Sequence, residues 1–198
     1  SIKNNENIFL ISAAMVTGAS LEKCFKDFPT RCIDVGIAEE HAIAYANGLA
    51  IANKMPIVSM YSTFMQRGYD EIVHDVARIN SNVMFIVDRA GIVGEDGKTH
   101  QGVLDVSFLY PLENTIIAMP SSYEYIKPTF DMLLNIKGPK FMRLQKMCLP
   151  INDNSVSIEF GKFIIDKFNS NYKFSLIAIG HSYSIIKELL KDEPINLI

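Results

Sequence analysis

The chain has 198 residues, of which 48% are hydrophobic and 21% are charged, a composition typical of globular proteins and not of disordered ones. Its net charge of -3 leaves no broad basic face for a phosphate backbone, so we expect no nucleic-acid partner. No apolar run approaches the ~20 residues that a membrane-spanning helix needs, and the first residues do not resemble a signal peptide. The widely spaced cysteines Cys24, Cys32 and Cys148 predict reduced thiols. We therefore expect a cytoplasmic protein with no membrane partner.

Strand-like and helix-like segments alternate along the first half, which predicts an α/β fold with a mostly parallel sheet and helices on both of its faces. The predicted elements are, in chain order, a strand at 8–11, a helix at 20–28, a strand at 32–35, a helix at 38–52, a strand at 57–61, a helix over 65–76 and a strand at 83–87. The segment from Arg89 to Gly102 then has no periodic pattern and carries several glycines. A long structureless loop inside a domain is usually functional or mobile.

The second half predicts a strand at 116–119, a helix that starts after Pro120 and ends near residue 134, and a strand at 140–144. Residues 150–154 are rich in Asn and Asp, which is typical of a linker. Beyond it, the predicted elements at 159–165, 174–179, 182–191 and 195–198 amount to one βαβ unit. We therefore expect one domain over 1–149 and the incomplete beginning of a second α/β domain over 150–198.

A strand end, a glycine turn and a helix start follow one another between Asp34 and Ala42. Catalytic groups collect at such carboxyl ends of strands in open α/β sheets. Glu39 and Glu40 both lie in the first helical turn, but adjacent helical positions point about 100° apart, so the two cannot face one ligand. The alternative interpretation is that both are solvated acids that complement the positive end of the helix.

Two aromatic residues, Tyr61 and Phe64, follow the next predicted strand. Aromatic rings at that place can form a stacking wall for a flat heterocycle. Ordinary packing of the two rings in the core is the alternative.

The glycine-containing loop offers two further candidates. Arg89 carries a planar guanidinium suited to phosphate or carboxylate, and His100 is a proton carrier near neutral pH. Glycines allow backbone to approach a ligand closely. The alternatives are a polar surface loop with an incidental histidine, or a Ca²⁺ loop, although the spacing of Asp88, Glu95 and Asp96 lacks the alternating oxygen ligands of an EF-hand.

The sequence around two further histidines predicts structural roles for them. His74 follows Asp70 by one helical turn, which indicates a surface pair, and His181 is expected to cap the helix that follows it. The histidines and cysteines lack the spacing of a metal site. A phosphate-binding P-loop motif is also absent from the sequence.

Taken together, these segments resemble the 1-deoxy-D-xylulose-5-phosphate synthases, a family of thiamine diphosphate enzymes related to transketolase. The matching segments are Asp34 through Glu39 with His41-Ala42, Tyr61-Ser62-Thr63-Phe64 with Gln66-Arg67 and Tyr69-Asp70, His74-Asp75-Val76-Ala77, and Asp88 through Gly102. The resemblance covers roughly 8–145 and implies the pyrimidine-binding domain of that family. It implies a transferase that decarboxylates pyruvate and joins the product to glyceraldehyde 3-phosphate, which supplies isoprenoid, thiamine and pyridoxal biosynthesis.

The resemblance also implies roles for residues around the cofactor. Glu39 corresponds to the catalytic carboxyl that hydrogen-bonds ring nitrogen N1′ of thiamine diphosphate, a contact that promotes loss of the thiazolium C2 proton. Tyr61 and Phe64 correspond to the pyrimidine pocket, and Arg67 corresponds to its polar flank.

On the substrate side, the resemblance places Arg89, Asp96 and His100. Arg89 would pair with phosphate charge, and His100 would be a second catalytic residue that donates or shuttles protons. Lys146 stands where the family has an arginine in an Arg-Tyr-Pro-Arg-Gly run, so we expect it to bind the substrate phosphate as a point charge and not as a bidentate fork. Glu40 stands where the family usually has Gln, and the angular argument points it elsewhere.

One family motif is missing from the sequence. The family binds the diphosphate and Mg²⁺ in a separate N-terminal domain marked by Gly-Asp-Gly followed by Asn, and Glu95-Asp96-Gly97 is not that motif in context. We therefore expect Mg²⁺ to be bound by a domain supplied in cis or as another chain. We expect the chain to be inactive alone and, by resemblance, to belong to a homodimer.

Two other functions are compatible with the residues. The chain could be the small subunit of a two-chain transketolase or of a 2-oxo-acid dehydrogenase, although the start of the loop at Arg89 and His41 after the two glutamates fit the synthases better. It could instead be a non-catalytic dimerisation or regulatory module. A purely structural module has no need for Glu39, Tyr61 and Arg89 together, which favours an enzyme.

Overall fold

A six-stranded parallel sheet organises the computed structural model, which describes residues 2–146 and 156–198. The strands are β1 (Ile8–Ser12), β2 (Cys32–Asp34), β3 (Met55–Tyr61), β4 (Met84–Asp88), β5 (Ile116–Ala118) and β6 (Lys140–Arg143). Each lies within two residues of a predicted strand, so the predicted α/β class and the parallel sheet are confirmed.

Within the described residues, six α-helices accompany the strands along the chain. They are α1 (Glu22–Asp27), α2 (Glu39–Ile51), α3 (Tyr69–Glu71), α4 (Asp105–Leu109), α5 (Tyr123–Asn135) and α6 (His181–Leu189). The single helix predicted over 65–76 is a composite, with a 3₁₀ turn at Phe64–Gly68, α3, and a π-helical turn at Ile72–Ala77. Such π turns occur frequently at functional sites. Helix α4 was not predicted, because five residues are too few to show helical periodicity.

The strand order β2-β1-β3-β4-β6-β5 reverses direction at β1. Leu10 of β1 is aligned with Cys32 of β2 on one side and with Ile57 of β3 on the other. In open α/β sheets, ligands bind outside the carboxyl ends of the strands at such a reversal. The topology therefore favours a site beyond the ends of β2, β3 and β4.

The hydrophobic core lies on both faces of the central strands. Strands β1 and β3 are buried along almost their whole length, as expected where helices cover both faces of a parallel sheet. Phe85 of β4 and Phe141 of β6 stack with ring centroids 4.4 Å apart. Helix α2 contributes Ala42, Ile43 and Ala46 to the same cluster.

One charged residue lies inside this sheet. Lys140 opens β6 with no exposed surface and donates hydrogen bonds to the Asn82 side chain and, at 2.6 Å, to the Ile136 carbonyl. Burial lowers the pKa of its amine from 10.5 to about 8. The sheet thus contains a cation that its neutral surroundings disfavour.

The loop predicted between Arg89 and Gly102 is not structureless. Gly91 and Gly102 form an antiparallel bridge, with hydrogen bonds of 2.7 and 2.8 Å between their backbones. Short 3₁₀ turns occupy Gly94–Asp96 and Lys98–His100 within it. The segment is therefore a closed loop with paired ends.

The described residues divide into two compact units, 2–118 with 136–146, and 119–135 with 156–198. The second contains α5, α6 and a parallel pair of strands, β7 (Phe174–Leu176) and β8 (Ile195–Leu197). The βαβ arrangement predicted there is present, but the element predicted at 159–165 is wrong, since that segment forms no strand or helix.

Three predictions concern residues that lie wholly or partly outside the described ranges. The linker at 150–154, the domain boundary between 149 and 150, and the thiol of Cys148 fall between the two described stretches. Of the other cysteines, Cys32 is buried and Cys24 is half-buried, both as free thiols. Within 2–146 and 156–198, no helix has the length and apolar character to span a membrane.

Candidate active site

The residues singled out in the sequence lie at the carboxyl edge of the sheet in one continuous group. Glu39 follows β2, Tyr61 ends β3, Arg89 follows β4 and Lys146 follows β6. A chain of short contacts links them, and it runs through Glu39, Arg67, Phe64, Tyr61, Arg89, Asp96 and Lys146, with His100 against the two aromatic rings. The structure therefore brings together all eight residues predicted for the site.

The carboxyl of Glu39 is almost completely buried. Glu39 is the first residue of α2 and is 3% exposed, whereas the neighbouring Glu40 is exposed. The two side chains diverge as the helical geometry predicts. The alternative of two solvated acids is wrong for Glu39. An acidic group at this position lies at the positive end of the helix.

Arg67 approaches this carboxyl from a 3₁₀ turn that packs closely against α2. Arg67 Nη1 lies 3.6 Å from Glu39 Oε2, and the arginine side chain is 56% exposed. A Cβ on Gly68 would lie 2.2 Å from Ile43 Cδ1 and 3.4 Å from the Glu39 carbonyl oxygen. A Cβ at this position would require the terminal methyl of Ile43 to move, so glycine favours the close packing of the 3₁₀ turn against α2.

Tyr61 and Phe64 form a stacked pair. Their ring centroids are 5.6 Å apart and their planes differ by 7°. Tyr61 is 7% exposed, and burial raises the pKa of its hydroxyl. Phe64 is half-buried, so the stacked pair extends from the core to the site. Tyr61 packs in the core, as one interpretation expected, and the half-buried Phe64 is available to stack on a ligand, as the other expected.

Arg89 occupies a constrained position beside the aromatic pair. Its backbone has a φ of 55°, a left-handed conformation that costs a non-glycine residue about 1 kcal/mol or more. Its guanidinium lies 4.3 Å from the centre of the Tyr61 ring. Nη1 donates to Asp88 Oδ2 at 2.6 Å and to the Gly18 carbonyl at 2.9 Å. The strained backbone directs this cation toward the site.

Asp96 lies between two cations. Its Oδ2 is 3.5 Å from Arg89 Nε, and its Oδ1 accepts a hydrogen bond from Lys146 Nζ. The Lys146 ammonium holds the pKa of the Asp96 carboxyl below its usual range, with a smaller contribution from Arg89. The two residues expected to bind substrate phosphate are thus both engaged by this carboxylate.

His100 is held by the aromatic pair and by two threonines. Its ring lies edge-on to Phe64 and Tyr61, with centroids 5.4 and 6.2 Å away. Nδ1 lies 2.9 Å from the hydroxyl of Thr99, and the Thr63 hydroxyl donates to the Thr99 carbonyl at 2.9 Å. One ring nitrogen is therefore engaged within the loop, and Nε2 is the atom left to meet a ligand.

Sequence reasoning missed a buried ion pair that supports the site. Arg143, at the end of β6, donates to both oxygens of Asp105 at 2.7 and 3.0 Å, and the Asp105 side chain has no exposed surface. The fork-like geometry is that of the strongest arginine–carboxylate pairs. It fixes the start of α4 to the strand that leads to Lys146. No local sequence pattern predicts the Asp105–Arg143 pair, because its two residues are distant in sequence.

Sequence reasoning also passed over Ser62. This residue follows Tyr61 and is 1% exposed, and its Oγ has no hydrogen-bond partner among residues 2–146 and 156–198. A buried hydroxyl without a partner is uncommon and calls for a ligand or a water. Its place directly after β3, between the two aromatic residues, was the one available signal.

His74 and His181, for which structural roles were predicted, have different outcomes. His74 Nε2 lies 3.5 Å from Asp70 Oδ1 on the surface, as predicted. His181 makes no capping hydrogen bond at the start of α6, so that prediction is wrong. Its Nδ1 is buried without a hydrogen-bond partner in the described part of the chain. His181 is the first residue of α6, and Gly180 occupies the N-cap position.

The site fits one end of the predicted cofactor. A buried carboxyl, two stacked rings and an unpartnered buried hydroxyl suit a flat, hydrogen-bonding heterocycle such as an aminopyrimidine. Nothing comparable exists for a metal, since no three His, Cys, Asp or Glu side chains within 2–146 and 156–198 are grouped to hold one. The features that suit a ligand here are thus the buried carboxyl and the two stacked rings.

Comparison with known proteins supports this assignment of the fold. Residues 1–152 match the family model "Transketolase, pyrimidine binding domain". Among solved structures, a transketolase from Campylobacter jejuni superposes with a TM-score of 0.83 at 23% identity and covers 99% of this chain and 32% of that chain. A structure described as "Split gene transketolase, inactive beta4 tetramer" gives 0.82 at 21% identity, with 98% and 65% covered.

Curated relatives agree with the resemblance seen in the sequence. A 1-deoxy-D-xylulose-5-phosphate synthase of Fusobacterium nucleatum is 40% identical over 188 residues, which are 94% of this chain and 31% of the relative. The enzyme of the same name from Neisseria meningitidis is 41% identical over 89% of this chain and 28% of its own length. The chain thus spans less than a third of these relatives. Its family match extends over most of its length, and the chain belongs to the transketolase pyrimidine-binding domain family.

Proposed function

We propose that the chain is the pyrimidine-binding part of a 1-deoxy-D-xylulose-5-phosphate synthase. In this function, pyruvate is decarboxylated and its two-carbon remainder is joined to glyceraldehyde 3-phosphate, with thiamine diphosphate as cofactor. The observation that carries the proposal is the buried carboxyl of Glu39 beside the stacked rings of Tyr61 and Phe64. The sequence similarity to synthases of that name supports it.

Glu39 would hold the aminopyrimidine through its ring nitrogen, and Tyr61, Phe64 and Arg67 would form the walls of that pocket. When bound, the cofactor would supply the carbon nucleophile that carries the two-carbon unit from pyruvate to glyceraldehyde 3-phosphate. The burial of Glu39 excludes water from its carboxyl, which strengthens a hydrogen bond to a ligand. The nearby Arg67 guanidinium offsets the charge of the carboxylate.

The substrate side would be formed by the loop and by the end of β6. Arg89 and Lys146 would attract the phosphate of glyceraldehyde 3-phosphate. His100 would donate or accept a proton through Nε2, since Nδ1 lies beside the Thr99 hydroxyl. These roles require no change in the backbone contacts that close the loop.

We further propose that the chain is inactive alone and acts with a diphosphate- and Mg²⁺-binding domain, in cis or as a separate chain, within a homodimer in the cytoplasm. The described residues offer no metal site of three or more ligands. Exposed apolar side chains in the same unit are suited to docking a partner; Ile37, Ile92 and Tyr110 are 78%, 84% and 81% exposed. A similar split-gene transketolase is described as inactive.

The test compares Glu39→Gln with Glu40→Gln in the chain combined with a diphosphate-binding part. We expect the first variant to lose turnover of pyruvate and glyceraldehyde 3-phosphate by at least about a hundredfold, and the second to retain it, since Glu40 is exposed. Unchanged turnover in Glu39→Gln would remove the catalytic assignment. Ketol transfer between sugars without use of pyruvate would overturn the reaction, and full activity of the chain alone would overturn the need for a partner.

A further inference from the structure

Two cations of the proposed phosphate site converge on one carboxylate. Lys146 Nζ donates a hydrogen bond to Asp96 Oδ1, and Arg89 Nε lies 3.5 Å from Asp96 Oδ2. Arg89 follows β4 and Lys146 follows β6, which are adjacent parallel strands. The position between these two cations is therefore the place where an anion is stabilised, and Asp96 occupies it.

The cluster is already electrically balanced. Arg89 also pairs with Asp88 at 2.6 Å, so two carboxylates face the two cations Arg89 and Lys146. An incoming anion gains less from a balanced cluster than from two unpaired cations, because the carboxylate repels it. The lowered pKa of the Asp96 carboxyl shows that these neighbours favour its charged form.

Asp96 does not satisfy all the hydrogen-bond donors of the Arg89 guanidinium. Arg89 Nε is buried and has no hydrogen-bond partner within the described ranges, although Asp96 Oδ2 lies 3.5 Å away as an ion-pair partner. A buried charged donor without an acceptor is costly. An anion with more oxygens than a carboxylate would satisfy Arg89 Nε and Lys146 Nζ together, which gives a phosphate an advantage over Asp96.

Asp96 also lies on a segment that can change conformation locally. It ends the short turn Gly94–Asp96, and Gly94 and Gly97 on either side have φ angles of 44° and 78°. Glycine accepts both signs of φ at low cost. The carboxylate can thus leave its position while the backbone bridge of Gly91 and Gly102 keeps the loop closed.

We propose that Asp96 is an internal competitor for the anionic group of the substrate, and that a phosphate binds between Arg89 and Lys146 by displacing it. In this assignment Asp96 belongs to the substrate side of the site as a competitor of the phosphate and not as its ligand, since two negative groups repel each other. It rests on the proposed function for the identity of the phosphorylated substrate. A dianion competes for two cations better than a monocarboxylate does, so Asp96 acts as a specificity-determining residue.

The test measures binding of inorganic phosphate to the chain by titration calorimetry and by amide shifts in NMR spectra, at low ionic strength. We expect Asp96→Asn to bind phosphate about fivefold more tightly, the upper range for one exposed charge pair, and to lose most of this gain at high salt. Glu95→Gln, which removes the adjacent exposed acid, is the matched control and should bind phosphate as the unsubstituted chain does. Acetate, a monoanion, should bind measurably only to Asp96→Asn.

The outcomes separate this inference from the proposed function. Equal phosphate affinity in Asp96→Asn and the unsubstituted chain would overturn the competition while leaving the phosphate site in place. Absence of binding in every variant would overturn the phosphate role of Arg89 and Lys146, and the competition with it. Asp96→Ser provides a second neutral variant if thermal unfolding shows that Asp96→Asn is not folded. A parallel Lys146→Met substitution in the Asp96→Asn chain should abolish the gain.

Discussion

Arg67 Nη1 lies 3.6 Å from Glu39 Oε2, so a half-exposed guanidinium accompanies a carboxylate that is 4% exposed. This pairing makes the stability of the site depend on Arg67. We expect Arg67→Met to reduce the free energy of unfolding by about 0.2–1 kcal/mol, the range for exposed ion pairs, since the arginine side chain is more than half exposed. In a Glu39→Gln background the same substitution should have almost no effect. Urea unfolding of the two single variants and the double variant measures the coupling. Arg78→Met, at an exposed position, is the control, and an equal loss in both backgrounds would contradict the pairing.

Gly102 is expected to tolerate no side chain. A Cβ there would lie 2.1 Å from the Arg89 carbonyl oxygen and 2.7 Å from Ser62, so Gly102→Ala should open the bridge to Gly91. We expect a loss of about 1–3 kcal/mol and faster hydrogen exchange at the Gly91 amide. The control is Gly48→Ala in α2, where a Cβ meets nothing within 4 Å. This substitution should raise the free energy of unfolding by up to about 1 kcal/mol. Protection of the Gly91 amide in Gly102→Ala would show that the bridge does not depend on this contact.

The Asp105–Arg143 pair should be the most costly ion pair to break. Asp105→Ala removes the buried carboxylate that binds the Arg143 guanidinium through two hydrogen bonds, and we expect a loss of about 3 kcal/mol in the free energy of unfolding. Asp27→Ala removes one partner of the exposed Lys23–Asp27 pair and should cost no more than about 1 kcal/mol. Denaturant unfolding compares them. Similar losses in the two variants would mean that burial does not set the strength of the Asp105 pair.

Lys140 is expected to make the protein more stable as the pH rises. Its pKa is lowered to about 8 from 10.5, so between these values the unfolded chain binds more protons than the folded one, and unfolding becomes less favourable with increasing pH. The difference between these two pKa values corresponds to about 3 kcal/mol in the free energy of unfolding. Lys140→Met should remove this pH dependence and, near pH 7, raise stability by a part of that amount, reduced by the lost hydrogen bonds. Lys137→Met, at an exposed position three residues earlier, should leave the dependence unchanged. A dependence that persists in Lys140→Met would assign it to other groups.

The strands could be predicted from the sequence because each is a short apolar run between turn residues. Ile8–Ser12 and Met84–Asp88 are buried on both faces, and continuous burial leaves a continuous hydrophobic signal. The predicted element at 159–165 shows the limit of the same rule, since an apolar run forms a strand only where a neighbouring strand pairs with it.

The site could be predicted in part, since its residues follow strands that end at one edge. The burial of Glu39 could not, because burial depends on how other elements pack around α2, and such tertiary contacts leave no local pattern. The same holds for Asp96, whose partners Arg89 and Lys146 are distant from each other in the chain. Local patterns identify which residues can take part in chemistry, and packing decides which of them are already engaged.

The placement of β6 between β4 and β5 has a consequence for the order of folding. Glu39, Tyr61 and Arg89 all precede β5 in the chain, so strands β1 to β4 can assemble the aromatic part of the site early. Lys146 joins it only when β6 pairs with β4. During refolding, the stacking of Tyr61 on Phe64 should therefore appear before any affinity for anions, and anion binding reports completion of the sheet.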